Sequence, residues 1–123
     1  MQRLTTTFSI CYNKFKGGSI LDIFTIRKKC NDDTIEITQH FLIRIHQRKI
    51  SYKEIKNVIM NGEIIEEYPD DFPYPSCLIL GTTINCRIIH VVVGINDTKL
   101  YLITAYEPDP DKWDNRFKKR KDC

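Results

Sequence analysis

Residues 51–68 read SYKEIKNVIMNGEIIEEY, and the fold turns on a change of period inside that stretch. Ser51 and Glu54 form an S-x-x-E box, in which each side chain serves the other residue's backbone N–H at a helix start. Ile50 and Ile55 stand where the residue before the cap packs against the fourth helical residue. Tyr52, Ile55, Val58 and Ile59 then mark one buried face, and Asn61-Gly62 supplies a left-handed stop. From Glu63 onward the helical period is lost.

Downstream, residues 63–68, 77–84, 87–95 and 100–107 are β-branched or aromatic runs. They are separated by 69–75 (PDDFPYP), by Asn85-Cys86 and by 96–99 (NDTK). Four consecutive strands with short links predict an antiparallel meander, one face of which must be covered. The cover comes from upstream. Ser19 and Asp22 open a helix over about 19–30, with Ile20, Leu21, Phe24 and Ile26 as its apolar positions; Ile35 to Ile37 alternates briefly like a strand; and Thr38 caps a second helix carrying His40, Phe41, Leu42, Arg44, Ile45 and Arg48. At the other end Pro108 and Pro110 stop the last strand, and Trp113 and Phe117, four apart, predict a short basic helix over 112–121. The expected fold class is α+β: two or three N-terminal helices packed on a four-stranded antiparallel meander sheet, with that terminal helix. Residues 1–18 lack a sustained period and end in Gly17-Gly18, which sets them apart as a variable extension before a single domain at 19–121.

Composition narrows the function. A chain of 123 residues, 41% hydrophobic and 28% charged, fits one soluble domain and excludes a multidomain enzyme. The longest apolar run, Ile88 to Ile95, contains a histidine and falls short of the roughly 18 to 20 residues of a membrane helix, and residues 1–18 lack the apolar stretch of a secretory signal. A cytoplasmic protein without membrane partners is expected. Five cysteines at irregular spacing give neither a complete disulfide framework nor a zinc pair, so free thiols are expected. The net charge of +3 hides an asymmetry: residues 1–60 are basic, 61–111 acidic and 112–123 basic again. Both ends could meet a polyanion such as RNA if folding separates the signs.

Chemistry can sit at two places. His40, Arg44 and Arg48 follow at i, i+4 and i+8, so they form a narrow polar stripe beside Phe41 and Ile45. Guanidiniums offer planar forks of donors to phosphate oxygens, and histidine changes charge near neutral pH; the plainer reading is a solvated helix face. His90 lies within an apolar run, either as a buried neutral imidazole or as an acid or base projecting from an open sheet face. Thr104 and Tyr106 share parity on the last strand. A register whose paired numbers sum to an even value puts them on the side of His90, and an odd sum separates them. His46 lies about 240° round the helix from His40, so the two form no local metal pair and no metal or other cofactor is expected. Ser76 and Cys77 lack the spacing of a nucleophile elbow.

Four blocks in order, IEITQHFLIRIHQRKIS (35–51), NGEIIEEYPDDFPYPSCLILG (61–81), HVVV (90–93) and TAYEPDPDKW (104–113), resemble the domain-of-unknown-function 4258 family. That family is similar in fold to the RelE/ParE-like toxin superfamily, small metal-independent ribonucleases with helices on an antiparallel sheet, usually encoded beside an antitoxin. The resemblance implies a RelE-like architecture and places the family's polar signature on His40, Arg44, Arg48, His90, Thr104 and Tyr106. Lys49 departs from it, the family usually having glycine there.

The function so implied is a toxin-like endoribonuclease that lets the RNA's own 2′-hydroxyl attack the adjacent phosphate. His40 and His90 would share the proton transfers, Tyr106 would donate a hydrogen bond or stack on a base, and Arg44 and Arg48, with Thr104, would hold the phosphate. The rival is a non-catalytic module that binds RNA or a protein on the same fold. Convergence of His40, Arg44, His90 and Tyr106 on one concave surface favours the enzyme, and an enclosed His90 with a solvent-facing Arg44 favours the module. A cognate antitoxin is the expected protein partner, with the acidic segment 63–75 as one surface it could contact.

Overall fold

The structure is a computed structural model that describes residues 21–121. Ser19, Ile20 and the extension 1–18 lie outside the described residues. The elements in chain order are α1 (Ile23–Lys28), β1 (Ile35–Ile37), α2 (Gln39–Gln47), α3 (Tyr52–Asn61), β2 (Glu63–Tyr68), β3 (Ser76–Thr82), β4 (Ile88–Ile95) and β5 (Leu100–Tyr106). The α+β class holds, but the sheet is not a four-stranded meander. It has five strands in the order β1-β5-β4-β3-β2, and β1 pairs with β5 in parallel. The short Ile35–Ile37 alternation is therefore a sheet strand whose partner lies far along the chain, Ile35 standing against Leu100 and Ile37 against Leu102. A run of three residues carries almost no strand signal of its own. It is held in place by a mate that local pattern cannot reveal.

The helix starts follow the sequence closely. Thr38 caps α2, its hydroxyl accepting from the Phe41 N–H at 3.0 Å. At α3 both halves of the Ser51–Glu54 capping box form, Glu54 accepting from Ser51 N–H at 2.9 Å and Ser51 from Glu54 N–H at 3.1 Å. Helix stops are where the reading departs. The first helix ends at Lys28 and begins after Asp22, because the chain turns back through Asn31, whose carbonyl accepts from the N–H groups of Thr34 and Ile35.

Gly62 does end α3, yet not as a left-handed residue: its φ is −91° and its ψ −167°, an extended conformation open to any residue. The glycine is required by contact. A Cβ there would lie 2.3 Å from the Leu80 carbonyl oxygen and 2.5 Å from that of Val58. Arg27 closes the same end, donating to the Ile59 and Gly62 carbonyls at 3.2 and 2.8 Å and so tying α1 to α3. A left-handed residue does occur in the turn between α2 and α3, at Lys49 with φ 58°. Side-chain crowding there costs about 1–2 kcal/mol, which a glycine would avoid. The turn is pinned by Arg87, which donates to the Lys49 carbonyl at 2.8 Å and to Glu54 at 3.1 Å.

Helices α2 and α3 cover one face of the sheet, α2 against β5 and α3 against β3 and β4. Phe41, Ile45, Ile55, Val58 and Ile59 meet Cys77, Ile79, Val91, Val93 and Leu102 in one core, each large aliphatic side chain contributing about 1.5–3 kcal/mol by leaving water. Gly81 lets α3 approach closely, since a Cβ on it would reach 2.8 Å from a Val58 methyl.

The second face is covered by a strap rather than by the expected terminal helix. Residues 112–121 contain no helix; Phe117 has φ 61°, the Asp114 carboxylate accepts from the N–H groups of Arg116 and Lys118, and Trp113 bridges to Arg120. Asp114 and Asn115 are turn formers, and they override the helical spacing of Trp113 and Phe117. Trp113 is buried, while Lys118 and Arg120 form ion pairs with Glu63 and Glu66 of β2 at 3.2 and 3.1 Å. The two basic and acidic stretches of the sequence thus meet across this face. Of the cysteines, Cys30, Cys77 and Cys86 are free thiols, and burial pushes the Cys77 thiol up to about 12. Among the described residues no helix is long and apolar enough to cross a membrane.

Candidate functional site

One inserted residue assembles the site. Between Leu100 and Leu102 the β4–β5 partners sum to an odd number, as Val93 with Leu102 does; beyond a bulge they sum to an even one, Val92 with Thr104 and His90 with Tyr106. Ile103 is the extra residue, and it turns Thr104 and Tyr106 onto the face that carries His90. Of the two registers considered from sequence, the lower half of β5 adopts the one that unites these side chains.

His90 is 0% exposed. Its ring stands edge-on to Tyr106 and to Trp113, with centroids 5.4 and 4.5 Å away, and its Nε2 donates to the Phe117 carbonyl oxygen at 2.8 Å. Nδ1 is buried without a hydrogen-bond partner, which fixes the neutral Nε2–H tautomer. Burial holds the His90 pKa below its ordinary value against the raising pull of the Phe117 carbonyl and Glu66, with Arg120 adding to the depression. The sign of the linkage follows: the unfolded chain takes up this proton more readily, so stability is complete above the unfolded value of about 6.5 and is lost as pH falls through it. Denaturant titrations between about pH 8 and about pH 5.5 should show this slope in the wild type and lose it in His90→Gln; equal slopes would contradict the enclosed neutral imidazole.

Around His90 the strap and β2 add groups that the sequence did not single out. Burial pushes the Glu66 carboxyl upward, but hydrogen bonds from Tyr68 and Arg120 outweigh it and hold the group below the usual range. Arg120 also lies over the Trp113 ring at 4.6 Å. Tyr106 is half-buried; desolvation raises its pKa while Arg120 and Arg48 draw it down, and the net rise keeps it a phenol able to donate at neutral pH.

Arg48 joins this group from the helix side. Its Nη1 donates to the Ala105 carbonyl at 2.8 Å and to the Thr104 hydroxyl at 3.3 Å, reaching β5 beyond the point where β1 stops. Arg48, Thr104, Tyr106 and His90 are therefore brought together. His40 and Arg44 are exposed on the same stripe of α2 and make no side-chain hydrogen bond or ion pair among the described residues. Helix α2 has no acidic residue, whereas Lys56, Arg87, Lys99, Lys118 and Arg120 elsewhere each have a carboxylate partner. The site as built is a sheet edge with a braced guanidinium, a hydroxyl and a phenol, flanked by an uncompensated cationic helix face. No group of three or more His, Cys, Asp or Glu side chains that could hold a metal ion comes together among the described residues.

Fold and site define a small α+β domain with helices on one sheet face and a basic strap on the other. Residues 37–107 match the family described as domain of unknown function (DUF4258), and the chain belongs to that family. No curated protein and no solved structure matches it.

Proposed function

We propose that this protein is a non-catalytic RNA-binding module, related to the RelE/ParE-like toxins in fold, that holds a phosphate backbone along α2 and β5. The observation that carries this reading is the cationic stripe: His40 and Arg44 face solvent without a carboxylate partner among the described residues, and Arg48 is fixed beside them against Thr104 and Ala105. A helix face that carries cations and no carboxylate offers a polyanion attraction without competing negative charge. Lys112, Arg116 and Lys119 are exposed on the strap, a second basic surface on the other sheet face.

His90 supports a binding role over a histidine-dependent nuclease. A general acid or base must come within hydrogen-bond reach of the substrate proton, and His90 is walled in by Trp113, Tyr106 and the Phe117 carbonyl. One observation favours the second reading, a toxin-like metal-independent endoribonuclease restrained by a cognate antitoxin: the half-buried Tyr106 phenol lies within the fields of Arg48 and Arg120, where a phosphate could be held and protonated. His90 would then position Tyr106 rather than touch the RNA.

Fluorescence anisotropy with a labelled single-stranded RNA tests the primary reading. Arg44→Ala should weaken binding several-fold and reduce the dependence of log affinity on log salt by about 0.7, the contribution of one phosphate contact on a single strand. An unchanged affinity and slope would remove α2 from the interface. Cleavage of the same RNA by the wild type but not by Tyr106→Phe would replace the module by the nuclease.

A further inference from the structure

At the upper end of the same sheet face, beyond the Ile103 bulge, lies a cleft of about 450 Å³ that the functional reading has not used. Phe72, Tyr74, Tyr101 and Ile103 make its apolar wall, and Glu36 and Thr38 stand where β1 passes into α2. Its volume falls within the roughly 300–1,000 Å³ of small-molecule sites. Tyr74 and Tyr101 are stacked, with centroids 4.2 Å apart and planes inclined by 7°, and the Asn96 amide donates to the Tyr101 hydroxyl at 3.1 Å, so that this aromatic wall is set before any ligand arrives. Phe72 is 95% exposed beside it, an aromatic ring left open to water among the described residues.

We infer that this cleft receives an unpaired nucleobase of single-stranded RNA. The inference rests on the RNA-binding reading and adds the form and base preference of its ligand. Three features select a base over an apolar side chain of a protein. Tyr101, Ile103, Thr104 and Tyr106 follow one another along β5, so Tyr101 lies about 10 Å from Thr104 and about 16 Å from Tyr106, and one strand can seat a base in the cleft while its phosphates reach Arg48. Flat π faces are what every base can stack on, and Phe72 supplies one that is free. The rim is polar in a matching sense: Glu36 gives one oxygen to Lys99, and Asp71 accepts from the Ser76 hydroxyl, leaving their remaining lone pairs to accept from N–H groups on a base edge. Carboxylates accept from exocyclic amino groups, so bases that carry one, cytosine above all, are preferred to uracil.

The probes are fluorescein-labelled oligocytidylate and oligouridylate about a dozen nucleotides long, within the usual span of a single-strand site. Oligocytidylate should bind the wild type more tightly than oligouridylate. Phe72→Ala, which removes a ring 95% exposed among the described residues, should weaken oligocytidylate binding about ten-fold, the size of one lost base stack, while leaving the salt dependence unchanged, and Phe72→Trp should retain affinity. Ultraviolet crosslinks should map to Tyr74 or Tyr101. RNA binding that responds to Arg44→Ala but not to Phe72→Ala, with crosslinks confined to α2 or the strap, would overturn the base cleft and leave the RNA module standing. Absence of RNA binding by the wild type would overturn both. Loss of a co-purifying protein in Phe72→Ala, with RNA affinity unchanged, would make the cleft a protein-docking surface and overturn the inference.

Discussion

Trp113→Ala should destabilise the protein by about 3–5 kcal/mol, as loss of a buried tryptophan does, and lower the melting temperature by roughly 15 °C or more for a domain of this size. The indole is 3% exposed on the sheet face opposite the helices, edge-on to His90 and beneath the Arg120 guanidinium. Removing it leaves a cavity that the strap cannot refill, because its other attachments are the Phe117 carbonyl bond to His90 and exposed ion pairs to Glu63 and Glu66. Exposed pairs contribute about 0–1 kcal/mol each, too little to hold the segment down. The same variant should raise the rate of chemical modification of the His90 imidazole, which is 0% exposed in the wild type. Trp113→Phe, keeping a ring against His90, should lose less than half as much. A melting temperature close to that of the wild type in Trp113→Ala would show that the strap is incidental to the fold.

Gly62→Ala is the second large effect. It should cost about 2–4 kcal/mol, read by urea or thermal unfolding, because the added methyl meets two backbone oxygens rather than a side chain that could turn away. Relief would require β3 to move off α3, disturbing both the Glu63–Leu80 pairing and the 2.7 Å bond from Gly62 N–H to the Val58 carbonyl. Since the backbone there is extended, conformational strain contributes nothing. A loss below about 0.5 kcal/mol would mean that the strand shifts freely and that the close approach is not structural.

What the sequence discloses and what it hides divide along the range of the interactions. Caps are local: Ser51 with Glu54, and Thr38 with Phe41, are written within four residues, and both form as their spacing predicts. The left-handed residue was sought at Asn61-Gly62 and occurs at Lys49, because α3 stops against the Leu80 carbonyl rather than by its own turn chemistry. The alternation of Ile35 to Ile37 does not announce a place in the sheet, since its mate is at Leu100–Leu102, and the spacing of Trp113 and Phe117 is helical while the ring that holds Trp113 belongs to β4. For the site, Arg48, Thr104, Tyr106 and His90 were all legible as polar residues in an amphipathic setting. Whether they meet depends on the Ile103 bulge, which no alternation of residue types announces. The role of Arg120 and Glu66 was hidden for the same reason, since a basic tail and an acidic strand are each ordinary surface until folding lays one on the other.

The parallel edge of the sheet also bears on how the protein is made. Among the described residues β1 pairs with a strand more than sixty positions downstream, so during synthesis on the ribosome that partner is absent until Leu100–Leu102 has left the exit tunnel. Until then α2 has no β5 to pack on, and the apolar stripe of Phe41 and Ile45 is exposed on the nascent chain. A loop of that length must close before its contacts repay the lost entropy, which places assembly of this edge among the later steps of folding.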